Sequence, residues 1–399
     1  VLIRLPIQLI IFLPALIFVL TARLIRPIFL IRFEELISNR IGHLAGNIEI
    51  YLCELDAGIN IPETRFFDIW YHSCAPCNYQ LARMWKRVLH IGPGILFRMV
   101  DTINNVIPGG ELHRIHWNII GKDRDVHNVL DQFPPHLSFL PNEERRGEME
   151  LRSLGIPDDA PFVCLIVRDS VYLNNQSPHL DWSRHNFRDC NIQNYILAAR
   201  KLAERGYYVI RVGALVKEVM DVDHPMIIDY ATNGKRSDFM DIYLGAKCAF
   251  CISTSLGIDG IANIFRRPLV FVDCVPLEII FTSRLNDIAT FRKHWKRDEE
   301  RFMTFQEIFE SGAGQFMLSS EFEAMGIDLV ESTPEEIAAV VLEMEERLRG
   351  TWKSTKEDEK LQQSFWEMFP RSNHKQFLHG EIYLRVGAEF LSQHREWLE

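Results

Sequence analysis

Four short stretches place anion-binding residue types beside apolar runs. "LIVRD" ends in Arg168 and Asp169, and "VIRVG" offers Arg211 and Gly213. "GKRSD" supplies Arg236, and "ISTSLGID" supplies Ser253, Thr254, Ser255, Gly257 and Asp259. Arginine forks match phosphate oxygens two at a time. Hydroxyls and free amides at a helix start add donors of the same sign. Gly257 would let a backbone approach closely, and Asp259 would accept from a ribose or sugar hydroxyl. The chemistry these residues suit is the holding of a diphosphate. A plainer alternative makes Thr254 or Ser255 an N-cap and pairs the arginines with surface acids. Arginines on separate strand ends favour the diphosphate.

A group transferred from such a ligand needs an acceptor that loses a proton. His43, in "RIGHLAGN", follows a glycine at a helix start, where an imidazole stays near neutral and accepts a proton. A structural or phosphate-contacting histidine is the alternative. Glu54 is the second candidate base, and Asp56 and His72 are weaker ones near early strand ends. Glu278, after "VPL", would face the transferred group or cap a turn. Two Asp-x-Asp pairs occur, Asp221 with Asp223 and Asp123 with Asp125, and the first lies in a polar stretch and reads as loop acids and not as a metal grip. No metal and no cofactor is expected. "CAPC" at 74–77 mimics a redox motif before a helix, but the chain lacks a thioredoxin-like order. "CAFC" at 248–251 lies in a strand pattern, where residues three apart face opposite ways, which argues against a four-cysteine zinc site.

The elements that must position these residues are clearest in the second half. "FVCLIVRD", "YYVIRVG", "MIIDYA", "CAFCIST" and "PLVFVD" read as strands, and helices such as "IQNYILAARKLAERG", closed by Gly206, lie between them. Strand and helix in alternation predict a doubly wound parallel sheet, with ligands beyond the carboxyl ends of its strands. Thr333, Pro334 and Glu336 form a capping box. In the first half, "RIGHLAGNIEIYLCEL" reads as a turn or helix start followed by a strand. "TRFFDIWYHS" and "LHRIHWNII" read as strands, and "NYQLARMWKRVLHI" as a helix. The Pro- and charge-rich stretch from Asp131 to Pro161 marks a domain boundary.

The whole chain has 399 residues, 44 Lys and Arg against 54 acids, and a net charge of −10, a poor balance for binding nucleic acid. Residues 1–33 carry Arg4, Arg23, Arg26 and Arg32 and no acid. The 18 residues between Arg4 and Arg23 are uncharged and almost wholly apolar. They just reach bilayer-spanning length. We expect a membrane segment here, spanning or interfacial, with a buried core helix as the alternative. The eight cysteines sit mostly in apolar runs, which points to a reducing compartment and places the globular part on the cytoplasmic face.

"NFRDCNIQNYILAARKLAERGYYVIRVG" and "IDYATNGKRSDFMDIYLGAKCAFCISTSLGIDGIANIFRRPLVFVD" resemble a little-characterised family of glycosyltransferases from bacterial surface-polysaccharide gene clusters. "RIGHLAGNIEIYL" and "IYLRVGAEFLSQH" are similar to it too, so the resemblance spans most of residues 38–395. The second half resembles fucosyltransferase-type donor domains more loosely, and there Arg168 and Arg211 would hold the donor phosphates. The resemblance implies a GT-B-like enzyme that moves a sugar from a nucleotide-sugar to an acceptor. The expected architecture is α/β with two Rossmann-like domains. Residues 1–33 form the membrane segment, 34–150 the acceptor side, 151–350 the nucleotide-sugar side and 351–399 closing helices. The expected partners are the nucleotide-sugar, a sugar or lipid-linked acceptor, and the membrane. A sugar-nucleotide epimerase, a pyruvyl transferase and a non-catalytic membrane scaffold are the rival readings.

Overall fold

The structure, a computed structural model, describes residues 4–115, 124–176, 179, 181–370 and 379–398. The first half opens with helix α1 (Arg4–Ile25), then strand β1 (Leu30–Leu36), helix α2 (Ile41–Asp56) and strand β2 (Phe66–His72). Helices α3 (Tyr79–Trp85), α4 (Gly94–Val106) and α5 (Pro141–Ser153) follow. β1 and β2 pair in parallel, and single parallel bridges at Arg114 and Ile91 flank them on either side. The expected strand within "RIGHLAGNIEIYLCEL" is absent, because that stretch is all α2. Its buried Leu44, Ala45, Ile48 and Tyr51 recur at helical spacing, and this stripe outweighs the β-branched content of "NIEIYL". Of "LHRIHWNII", Arg114 forms a bridge, and the stretch from residue 116 on falls with Asp123 in residues 116–123, outside the described residues.

The second half is a parallel sheet with helices on both faces. Strand β3 (Phe162–Ile166) leads through α6 (Val171–Gln176) and α7 (Ile196–Glu204) to β4 (Tyr208–Arg211) and β5 (Ile227–Ile228). Then come α8 (Asp238–Lys247), β6 (Cys251–Ser253), α9 (Asp259–Ile264), β7 (Leu269–Cys274) and β8 (Ile288–Phe291). A small antiparallel sheet of β9 (Lys293–Lys296), β10 (Arg301–Phe302) and β11 (Ile327–Val330) holds α10 (Phe305–Ser311) and α11 (Ser319–Ala324) between its strands. The chain closes with α12 (Pro334–Arg349), α13 (Lys356–Met368), β12 (Arg385–Val386) and α14 (Ala388–Gln393). The large sheet runs β12-β8-β7-β6-β3-β4-β5, so the closing segment adds an edge strand as well as helices. β3 shows why the sheet is buried on both sides. Val163 and Leu165 face a core shared with α7 and α12, while Phe162, Cys164 and Ile166 face the opposite core.

α1 lies along the first half. Ala15 and Val19 pack on Phe97, Val100 and Ile103 of α4, and on Phe33 of β1. Among the described residues no helix is long and apolar enough to cross a membrane. The expectation of a spanning segment is corrected accordingly: one side of the apolar stretch is occupied by protein.

The two halves share a core. Leu44 and Ile48 of α2 meet Ile242 of α8 and Ile261 and Ile264 of α9. Polar ties reinforce it. The Asn78 side chain donates to the Asp238 carbonyl at 2.9 Å, Arg266 meets Glu49 at 2.6 Å, and Arg284 meets Asp131 at 2.6 Å.

Candidate functional site

The large sheet reverses its direction of growth between β3 and β6. From β3 the chain builds outward through β4 and β5, and from β6 it builds the other way. A crevice at the carboxyl ends of two such strands is where α/β sheets take ligands. The segments leaving these strands interlock. The Arg168 amide, just past β3, donates to Thr254 Oγ1 at 3.0 Å. Ser255 turns the β6 loop with a left-handed φ of 59°. Asp259 holds the loop's shape from beneath, accepting from Ser253 Oγ at 2.7 Å and the Leu256 amide at 2.8 Å. Burial pushes that carboxyl up to about 6. Ser253, Thr254 and Asp259 are therefore occupied in building the turn, and Asp259 is too enclosed to meet a sugar hydroxyl. Among the described residues no acceptor takes the Ser255 or Gly257 amide.

Two guanidinium groups lie at this turn. Arg168 is buried with its Nε 3.2 Å from Asp189 Oδ1, and burial holds it below the usual arginine range against the pull of that acid. Arg188 comes from the short turn Ser183–Arg188 and donates from Nη2 to the Ser255 carbonyl at 2.6 Å. Its Nε is buried and finds no partner. Among the described residues no carboxylate lies within ion-pair distance of Arg188. Burial, with Arg168 close by, brings its pKa down to about 10. A half-buried cation with an idle N–H is costly unless an anion answers it.

The first half reaches the same place through α2. A Cβ on Gly42 would fall 2.8 Å from Gly257 Cα, so the start of α2 touches the β6–α9 turn backbone to backbone. α2 has no side-chain cap at its N-terminus, where unbonded amides and the helix dipole favour an anion. His43, one residue on, is half-buried, and its Nδ1 is enclosed without a hydrogen-bond partner. "RIGH" and "STSLG", more than two hundred residues apart, thus form one surface.

Other expected site residues are placed elsewhere. Arg211 is 2% exposed. It donates to the Glu218 carbonyl and lies 3.2 Å from Asp229, tying the end of β4 to the loop that follows. Gly213 packs in that loop against Val216. Arg236 pairs with Asp241 at 2.6 Å at the start of α8, beyond edge strand β5. Burial raises Asp241 to about 6. Glu54 is at the far end of α2, roughly 16 Å along the helix from His43. It is 3% exposed, and burial with Asp125 nearby pushes it up to about 7. Asp56 binds His136 at 3.1 Å. His72 ends β2 with its Nδ1 unpartnered, its pKa lowered by burial. Glu278 is buried and accepts from Gln315 at 2.7 Å. Asp221 and Asp223 are exposed on a loop, and Asp125 caps the amides of Val129 and Leu130.

Arg188 is the residue that sequence reasoning missed. It lies in a polar stretch with no periodicity, and only the fold brings it to Ser255. Among the described residues two groups have the proximity to hold a metal: Glu49 with Cys53 and His136, and Cys190 with Asp273 and Glu331. A guanidinium already occupies each. Arg266 is 2.6 Å from Glu49, and Arg292 is 2.8 Å from Cys190 Sγ. Cys248 and Cys251 are buried in the core, whereas Cys74 is exposed.

No family model matches the sequence, and no curated protein matches it. Loose structural likenesses exist. The Escherichia coli ADP-heptose lipopolysaccharide heptosyltransferase II has a TM-score of 0.39 at 12% identity, over 66% of this chain and 90% of that one. A glycosyl transferase family 9 structure from Veillonella parvula scores 0.38 at 10% identity, over 61% and 79%. The dodecameric iron-containing glycosyltransferase TibC from enterotoxigenic E. coli scores 0.31 at 13%, over 62% and 59%. At these scores the likeness decides nothing about this chain's activity.

Proposed function

We propose that the chain is a glycosyltransferase that moves a sugar from a nucleotide-sugar to a sugar or lipid-linked acceptor, as in surface-polysaccharide assembly, without a metal. One observation carries the reading. Arg188, with no carboxylate in ion-pair range among the described residues, stands beside Arg168 and the free amides of Ser255 and Gly257 at the sheet's switch point. A departing nucleoside diphosphate gathers negative charge on its phosphates. Fixed cations and amide dipoles in a half-buried site stabilise that charge most as it develops. In this reading the second half is the donor domain and the first half the acceptor domain of a GT-B-like pair. His43, at the seam, takes the proton of the acceptor hydroxyl. Arg211, Gly213 and Arg236 become scaffold, and Glu54 leaves the catalytic set.

Thermal unfolding in the presence of UDP-, GDP-, ADP-, CDP- and dTDP-sugars tests it, each with magnesium and with EDTA. A donor at a hundred times its Kd adds about 2.7 kcal/mol of stability. We expect one nucleotide class to stabilise the chain equally in EDTA, and Arg188→Ala to remove that gain while the unliganded protein stays folded. No stabilisation by any nucleotide, or full stabilisation in Arg188→Ala, overturns the assignment.

A further inference from the structure

α1 is apolar all round, yet the domain covers only one side of it. Ala15, Val19 and Ala22 are buried against the first half. On the opposite side Ile10, Leu13, Ile17, Leu20 and Leu24 are exposed, from 52% at Leu20 to 81% at Leu24. Their steps of three and four residues make one continuous stripe along the helix. Pro14 and Thr21 complete a shallow groove beside Leu13 and Ile17. Ile28, just beyond the helix, and Ile95 and Val106 of α4 are exposed as well. A contiguous apolar face of this kind on a folded domain marks an interaction surface.

Charge distinguishes the occupants. In a second copy docked along a stripe with three-four spacing, acids answering the arginines at its flanks would set the pairing, and without them like charges meet. Residues 1–33 contain no acid at all. Arg26 is exposed, and among the described residues its side chain makes no hydrogen bond or ion pair. Among the described residues Arg23 meets neutral acceptors, the Asn104 side chain at 2.9 Å and the Ile107 carbonyl at 3.0 Å among them, and no carboxylate. Cations beside an apolar helix face suit an anionic lipid surface, where the side chains enter the acyl boundary and the arginines meet headgroups. We infer that α1 seats the chain on an anionic membrane surface, lying in the plane of the interface with its Ile10–Leu24 stripe in the lipid. Such an anchor does not need bilayer-spanning length, and the shared packing with α4 would stay intact. The inference deepens the reading above by naming the surface on which the acceptor is met. Its test uses no donor, so the two readings fail separately.

The full chain is floated with vesicles of phosphatidylcholine alone and of phosphatidylcholine with phosphatidylglycerol. We expect flotation with the anionic vesicles, weakening as salt is raised. Leu13→Gln/Ile17→Gln/Leu20→Gln should float at least about tenfold less with unchanged thermal unfolding, since all three side chains already face solvent. Arg26→Glu gives a second reading that does not touch the apolar face, and should reduce flotation with anionic vesicles. A wild-type chain that stays with the soluble fraction in both vesicle types overturns the inference. So does a dimer in lipid-free buffer that the triple variant dissociates while flotation is unaffected.

Discussion

Arg188 and Arg211 show how differently one residue type is employed at two points near the same sheet edge. Both follow from apolar surroundings that bury a cation. Arg211 is answered by Asp229 and the Glu218 carbonyl, and it organises its loop. Among the described residues the Arg188 side chain donates to the Ser255 carbonyl alone, so part of its hydrogen-bonding capacity is unused. The sequence marked Arg211, because it ends an apolar run, and passed over Arg188, because nothing local distinguishes an arginine in a polar turn. Glu54 illustrates the same limit with opposite sign. Its burial could not be inferred while "NIEIYL" read as a strand. In the fold its carboxyl is raised to about 7 from the ordinary 4.5. Below about pH 4.5 both folded and unfolded chains are protonated there, and nothing is lost. Between about 4.5 and 7 the unfolded chain gives up the proton first, so stability falls, and above 7 the full penalty of about 3 kcal/mol applies. Glu54→Gln should therefore gain about 2–3 kcal/mol over wild type in urea unfolding at pH 8 and nearly nothing at pH 4. An equal difference at both pH values would remove protonation as the cause.

Elements decide which residues meet. The parallel strands of the second half were legible because continuous apolar runs such as "FVCLI" and "LVFVD" are what a sheet covered on both faces requires. α2 was not legible, since its β-branched residues satisfy a strand pattern locally and only packing against α9 selects the helix. Yet α2 is the element that completes the candidate site. Its contact with the β6–α9 turn rests on the missing side chain of Gly42. Gly42→Ala would drive a methyl into the Gly257 backbone, which cannot swing aside as a side chain does. We expect a loss of about 1–3 kcal/mol in thermal or urea unfolding, together with weaker binding of whichever nucleotide stabilises the wild type. Gly46→Ala, one turn further along the same helix with nothing within 4 Å of the added carbon, is the matched control. It should keep binding and gain up to about 1 kcal/mol from helix propensity. Equal effects of the two substitutions would mean that the backbone contact does not position the turn.

At the scale of the molecule, the chain divides by composition near Asp131–Pro161 but not by packing. The residues that a two-domain reading assigns to opposite sides, Leu44 and Ile48 on one and Ile242, Ile261 and Ile264 on the other, lie in a single apolar cluster. Glu49, wholly buried on α2, accepts from Arg266 at the end of α9, and Arg124 donates to the Ile280 carbonyl at 2.8 Å. Separating the halves would expose that apolar surface and take the Arg266 guanidinium from Glu49, leaving His136 as that carboxylate's ion-pair partner, each a cost of order kcal/mol. Domains joined by small polar interfaces move and melt independently, whereas a shared apolar core couples them. Calorimetry of the full chain should accordingly give one transition, with calorimetric and van't Hoff enthalpies in agreement. Glu49→Ala should lower that single transition without splitting it. Two resolved transitions in the wild type would show the halves to be separable. The backbone contact between Gly42 and Gly257 would then be one position of a hinge, and a site built from both sides would have to form on closure.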